Sequence, residues 1–175
     1  MRWYWIDRYL EFESGRRARA IKNVSLAEEH LHDHFPGYSV MPNSLVIEGF
    51  AQTGGLLVCE HNRFQRKVVL AKLPYAIFHG PVLPGDTLTY VAQIEYLRDD
   101  GAMVTAEAYR GEELLAEAEL VFAQLGGEHE GKTFYEPRAY LRMMRLLKTY
   151  EIGRAADGSP LREPEELVRA AARED

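Results

Sequence analysis

Glu48 is the residue of this sequence whose surroundings best suit acid–base chemistry. It follows the apolar run Leu45-Val46-Ile47, just over one turn into a predicted helix. The helix N-terminus favours the anion, whereas apolar surroundings favour the acid form, and such opposed influences can hold a carboxyl ready to exchange a proton. Gln52, one turn later, shares its face. The alternative is a surface residue on an amphipathic helix, but this helix has hardly any polar surface.

Histidines are the second candidate for chemistry. His30, His32 and His34 alternate, and on a strand they would point the same way, as zinc-ligating histidines can. A zinc site usually needs a further ligand, however, and Phe35-Pro36-Gly37 must end a strand at His34. We therefore expect no metal and no cofactor. The remaining histidines have no partners at informative spacing: His61, His79 and His129.

A long buried helix must position Glu48. Pro36-Gly37 and Pro42 break the chain before it, and Asn43 or Ser44 is the predicted N-cap. From there to about His61 the sequence is apolar on almost every side, which is typical of a buried helix.

Strand-like segments separated by turn residues make up most of the remaining sequence up to residue 125. Residues 1–12, which include Trp3, are predicted to form a short strand or a turn of helix. The predicted strands are 17–26, 67–72, 75–78, 87–97, 103–109 and 114–124. The pattern predicts an α+β fold with one buried helix and a largely antiparallel sheet.

Composition narrows the function classes. The 175 residues carry a net charge of −6, which gives no general attraction to nucleic acid or to acidic membranes. The apolar runs are too short to span a bilayer, and one cysteine, Cys59, excludes an internal disulfide framework. A cytoplasmic protein is expected.

A composition shift at Gly126-Gly127 divides the chain. We predict a domain over residues 1–125 and a charged, mainly helical C-terminal extension over residues 126–175, with helices at 137–150 and 164–171.

The sequence from His34 to Gly55 resembles the active-site signature of the (3R)-hydroxyacyl-[acyl-carrier-protein] dehydratases of the FabZ type. The matching pieces, in order, are His34-Phe35-Pro36-Gly37, Val40-Met41-Pro42, Leu45-Val46-Ile47-Glu48 and Ala51-Gln52-Thr53-Gly54-Gly55. The later turn Val82-Leu83-Pro84-Gly85-Asp86 also resembles that family, so that the likeness covers roughly residues 2–125. The related FabA type usually has aspartate where this chain has Glu48.

The resemblance implies a hot-dog fold, in which an antiparallel sheet wraps a long central helix. It further implies a homodimer, often a trimer of dimers, with a tunnel at the interface to which one subunit gives the histidine and the other the glutamate. The implied reaction removes water from a (3R)-3-hydroxyacyl carrier-protein thioester to give a trans-2-enoyl thioester. His34 and Glu48 would be catalytic, whereas Asn43, Gly37 and Gln52 would bind substrate.

Several positions depart from the family pattern. Asn43 stands where the family has a glycine at the start of the central helix, and its side chain could narrow the tunnel. Asp33 stands where glycine commonly precedes the histidine, and Tyr38-Ser39 also differs. These departures leave two alternatives open: another hot-dog enzyme, such as a thioesterase or coenzyme A-linked hydratase, and a non-catalytic protein that binds acyl carriers.

Carrier proteins are acidic, so a docking surface should be locally basic. One predicted contact is Arg63, Arg66 and Lys67, just after the central helix. A second candidate is the helix face that carries Arg138, Arg142 and Arg145, for which a solvated face is the alternative.

Overall fold

A computed structural model describes residues 4–125 and 136–173, and over these residues the chain forms six antiparallel strands and five helices. The sheet order is β1-β2-β4-β5-β6-β3. The strands are β1 (Arg8–Glu13), β2 (Arg17–Asn23), β3 (Lys67–Phe78), β4 (Thr87–Leu97), β5 (Gly101–Arg110) and β6 (Glu113–Leu125). The helices are α1 (His30–Asp33), α2 (Asn43–His61), α3 (Pro137–Leu146), α4 (Thr149–Ile152) and α5 (Glu165–Ala172). The predicted α+β class is confirmed.

Helix α2 is the predicted buried helix, and it packs closely on the sheet. A Cβ added at Gly49 would lie 2.2 Å from Cζ of Tyr90 on β4, so only glycine permits this approach. The predicted N-cap was wrong. Pro42 holds the N-cap position, Asn43 is the first helical residue, and no side chain caps the helix.

Three predicted elements are divided differently in the structure, and the strand predicted at 17–26 ends earlier, at Asn23. The two strands predicted at 67–72 and 75–78 are one strand, β3, with register shifts between Leu70 and Tyr75. Pro74 lies in this irregular stretch, where the missing N–H costs the ladder little. The helix predicted at 137–150 is two helices, α3 and α4, because Lys148 adopts the left-handed conformation at φ 61°.

The segment His30–Asp33 is a short helix, α1, and not a strand. The alternation of His30, His32 and His34 therefore does not place these side chains on one side.

The C-terminal segment covers one edge of the sheet. The backbone N–H of Tyr9 on β1 donates to the carbonyl of Leu147 at 2.9 Å. Further along, Arg154 donates to Phe12 at 2.8 Å and accepts from Ser14 at 2.9 Å. Because the edge at β1 is covered in this way, β3 is the edge whose outer side has no strand partner among the described residues.

Some sequence-based expectations fall outside the described residues: Trp3, the composition shift at Gly126-Gly127, and His129. Within the two described ranges, no helix is both long and apolar enough to cross a membrane.

Candidate active site

His34 lies at the C-terminal end of α1 and lines a cavity of about 620 Å³. The rest of the lining is formed by residues 40–44, at the start of α2, and by residues 78–81, at the end of β3. Backbone hydrogen bonds hold the loop in place: Val40 N–H donates to the carbonyl of His34, and Met41 N–H donates to Val82, both at 2.9 Å. The loop thus fixes His34 beside the start of α2.

The His34 ring is held by one nitrogen. Its Nδ1 lies 2.7 Å from the carbonyl oxygen of Val40. A carbonyl can only accept, so Nδ1 carries the proton and donates it to this bond. In the neutral ring Nε2 then has a lone pair and can accept a proton. The hydrogen bond to Val40 therefore uses Nδ1 and leaves Nε2 as the nitrogen that can accept a proton.

Glu48 is held by a chain of two hydrogen bonds. Gln52 Nε2 donates to Glu48 Oε1 at 2.8 Å, and Gln52 Oε1 accepts from the backbone N–H of Trp5 at 2.7 Å. The amide of Gln52 is thereby oriented, and it fixes one oxygen of the carboxyl. Among the described residues no hydrogen bond engages Oε2 of Glu48.

The predicted site residues fall into two groups within one chain. His34 and Asn43 line the cavity, whereas Glu48 and Gln52 lie further along α2 and are not among its lining residues. Gly37, at φ 82°, is an exposed residue of the loop that follows His34. One chain by itself does not bring the candidate acid to the cavity of the candidate base.

His79 lines the same cavity, and reasoning from the sequence missed it. Its Nε2 lies 3.1 Å from Oε1 of Glu117 on β6. The signal that could have found it is the break at Gly80-Pro81, which ends the strand next to this histidine. Among residues 4–125 and 136–173, no three side chains of the metal-ligating types are grouped to hold a metal ion.

The predicted basic contact lies far from the cavity of its own chain. Helix α2 spans roughly 27 Å from Asn43 to His61 at 1.5 Å per residue, and Arg63 lies beyond its C-terminal end. Arg66 donates to the backbone carbonyl of Asp99 and lies 3.4 Å from its carboxylate, whereas Lys67 begins β3. In the second candidate patch, Arg145 is bound by both carboxylate oxygens of Glu163, at 2.6 and 2.7 Å.

Comparison with known proteins identifies the class. Residues 3–119 match the family model of the FabA-like domain. A 3-hydroxyacyl-[acyl-carrier-protein] dehydratase FabZ of Desulforamulus reducens is 44% identical over 119 residues, which cover 67% of this chain and 84% of that protein. The protein of the same name from Pelotomaculum thermopropionicum is 43% identical over 119 residues, 67% of this chain and 85% of that protein.

Solved structures share the fold. The dehydratase heterocomplex ApeI:P from Xenorhabdus doucetiae superposes with a TM-score of 0.61 at 13% identity, covering 71% of this chain and 85% of that chain. A Streptococcus mutans protein bound to acetyl CoA superposes with a TM-score of 0.59 at 15% identity. The match covers 72% of this chain and 94% of that chain. At this identity the likeness concerns the fold alone.

The chain belongs to the FabA-like family of hot-dog proteins. Within that family its relatives are of the FabZ type, as the motif from His34 to Gly55 predicts. The predicted hot-dog fold is confirmed by the same matches and by the sheet that packs on α2.

Proposed function

We propose that this chain is a hydro-lyase that removes water from (3R)-3-hydroxyacyl carrier-protein thioesters in fatty-acid biosynthesis. The observation that carries the proposal is the His34 ring. Its Nδ1–H is anchored on Val40, and its Nε2 is left as a base in a cavity at the start of α2. The FabZ dehydratases that are 43–44% identical support the same reaction.

His34 Nε2 takes the proton from C2 of the substrate. As C2 loses its proton, negative charge develops on the thioester oxygen, and backbone N–H donors stabilise it. Asn43 and Ser44 are the first residues of α2, where N–H groups have no acceptor within the helix, and both line the cavity. These N–H groups are the proposed contact for the thioester oxygen.

Glu48 of the second subunit delivers a proton to the C3 hydroxyl as the C3–O bond breaks, so that water leaves. The proton taken from C2 later returns to Glu48 from His34, which restores both groups. Gln52 is proposed to orient the carboxyl through its bond to Oε1 rather than to contact the substrate. Because Glu48 does not line the cavity of its own chain, a site shared across a dimer accounts for both positions.

The proposed dimer forms along β3. Leu70, Tyr75 and Ile77 on this edge strand are exposed, and so are Phe35 and Tyr38 in the loop after His34. An open edge with exposed apolar side chains is suited to pairing with a second copy. A trimer of such dimers is a further proposal. A cytoplasmic location is proposed with it.

Carrier-protein docking is proposed at Arg63, Arg66 and Lys67. Since the second subunit completes each site, this patch need not serve the cavity of its own chain. Lys67→Glu should raise the KM for a carrier-protein thioester and leave the KM for a small thioester analogue unchanged. Equal effects on both substrates would count against docking there.

The proposed reaction is tested by ultraviolet spectroscopy. Purified protein is mixed with 3-hydroxyacyl carrier-protein thioesters of several chain lengths, and the conjugated enoyl thioester is followed. We expect turnover that His34→Ala abolishes. The absence of turnover by the unmodified protein on every chain length would overturn the proposal.

A further inference from the structure

His79 lines the same cavity as the proposed base His34, directly after the end of β3. Its backbone N–H donates to the carbonyl of Leu115 on β6 at 2.8 Å. Its side chain is 40% exposed, whereas His34 is half-buried. A second imidazole therefore stands in the wall of the cavity, at a position that solvent reaches.

The ring of His79 is held by Glu117. This glutamate lies on β6 opposite Ile77, which comes two residues before His79. Its Oε1 lies 3.1 Å from Nε2 of His79. A carboxylate can only accept, so Nε2 carries a proton and donates it to this bond. In the neutral ring Nδ1 is then an acceptor, and no hydrogen bond engages it among the residues that the structure describes.

The two imidazoles of the cavity are anchored through different nitrogens. His34 donates from Nδ1 to Val40 and keeps Nε2 for the C2 proton, whereas His79 donates from Nε2 to Glu117 and keeps Nδ1. The backbone and the ring of His79 are both fixed on β6, so its Nδ1 is oriented before a ligand enters, and little conformational freedom is lost on binding. An oriented acceptor favours a ligand group that donates a hydrogen bond.

The proposed substrate carries such a donor close to its reacting end. In a carrier-protein thioester, a short alkyl link joins the sulfur to the nearest amide of the pantetheine arm, and an amide N–H can only donate. The acyl chain beyond C3 is apolar and runs toward Glu48 of the second subunit. The arm leaves the sulfur in the other direction, because it must reach the carrier protein in solvent. An exposed, polar His79 in the cavity wall suits that path.

We propose that His79 recognises the pantetheine arm of the substrate, with Nδ1 accepting a hydrogen bond from the amide N–H nearest the sulfur. Glu117 is a positioning residue, because it fixes the ring with Nδ1 unprotonated. The contact lies away from the reacting atoms and binds ground state and transition state alike, so it lowers KM and leaves kcat unchanged. The inference deepens the proposed function and rests on it for the identity of the substrate.

Two matched substrates test the contact. One is a 3-hydroxyacyl thioester of N-acetylcysteamine, which carries the amide N–H, and in the other an ester oxygen replaces that N–H. One hydrogen bond of this kind is worth about 3- to 10-fold in KM. We expect the unmodified protein to show a KM lower by this factor for the amide. His79→Phe should remove the difference by raising the KM of the amide alone, with kcat within about twofold of the unmodified protein.

His32→Phe is the matched control, since His32 is exposed, lies outside the cavity lining, and bonds the carbonyl of Leu26 at 3.1 Å. It should keep the preference for the amide. His79→Asn should restore part of it, because the side-chain oxygen of asparagine can accept in place of Nδ1. Equal KM values for the two substrates in the unmodified protein overturn the proposal. A His79→Phe protein that keeps the preference, or that loses kcat as His34→Ala does, also overturns it.

A binding measurement without turnover separates this inference from the proposed reaction. The probes are two unreactive thioethers, S-butyl-N-acetylcysteamine and its counterpart with an ester oxygen in place of the N–H, titrated into the protein and followed by NMR. A preference for the amide of about 3- to 10-fold in Kd, lost in His79→Phe, supports the contact even if the protein dehydrates nothing. Equal Kd values, or no binding of the amide thioether, overturn it whatever the activity.

Discussion

Two glutamates on helix α2, Glu48 and Glu60, differ in their burial and in their hydrogen bonds. Glu48, just over a turn from the start, is half-buried, and one of its oxygens accepts a hydrogen bond from Gln52. Glu60, in the last turn, is 5% exposed, and its Oε2 is buried without a hydrogen-bond partner among the described residues. Burial raises the pKa of Glu60, and Ser14 and Arg63 only partly offset this.

The carboxyl whose pKa burial raises, Glu60, lies outside the proposed site. Glu60 lines a second cavity of about 930 Å³, between the end of α2 and the C-terminal segment. The buried hydroxyl of Tyr150 also has no hydrogen-bond partner among residues 4–125 and 136–173. A shifted pKa is therefore not by itself a mark of catalysis. Glu48 is set apart by an oriented carboxyl and by a half-exposed side that a second chain can cover.

The largest expected effect is that of Glu48→Gln on activity. The variant keeps the size of the side chain but cannot deliver a proton, so kcat should fall about 10²–10⁴-fold. Steady-state kinetics measures the loss. Glu60→Gln is the matched control on the same helix and should stay within about twofold of the unmodified protein. Equal losses of kcat in the two variants would contradict a catalytic role for Glu48 that Glu60 does not share.

Gly49→Ala tests the packed stretch of α2 next to Glu48. The added methyl group would meet the Tyr90 ring, which is fully buried and cannot move aside freely. Overpacking of this kind costs about 1–3 kcal/mol of unfolding free energy. Denaturant unfolding measures this free-energy cost. The control is Ala51→Gly, at a half-buried position of the same helix, which shows the effect of helix propensity alone. A Gly49→Ala protein as stable as the unmodified one would contradict the described packing.

The smallest effect concerns Glu60 and pH. A carboxyl whose pKa is raised on folding binds its proton more tightly in the folded state, so stability falls as the pH rises from its ordinary value of 4.5 to the raised one. Glu60→Gln removes this loss. Its Tm should match that of the unmodified protein near pH 4 and exceed it at pH 8. A Tm difference that does not change with pH would contradict the burial of a neutral Glu60.

The fold was largely predictable, because α2 and the strands carry strong apolar patterns. The sequence located the irregular stretch between residues 72 and 75. It could not show whether Pro74 lies in a bulge within one strand or in a turn between two. The end of α3 was missed, since Lys148 takes a left-handed conformation without the glycine that usually signals it.

The site was predictable only in part. Glu48 was singled out by its apolar surroundings and His34 by the motif, and their catalytic roles stay predictions. The bond from His34 to Val40 and the chain from Trp5 through Gln52 to Glu48 depend on backbone atoms brought together by folding. Glu60 was missed for a similar reason, because Ser14 and the cavity wall formed by residues 155–166 are distant in sequence.

The central claim is that each site takes its base from one chain and its acid from another. The direct test mixes His34→Ala with Glu48→Ala, both inactive alone, after subunit exchange has been verified by mass spectrometry. With random exchange half of the dimers are mixed, and each has one intact site of two, so about one quarter of the activity should return. No recovery in verified mixed dimers would contradict the shared site.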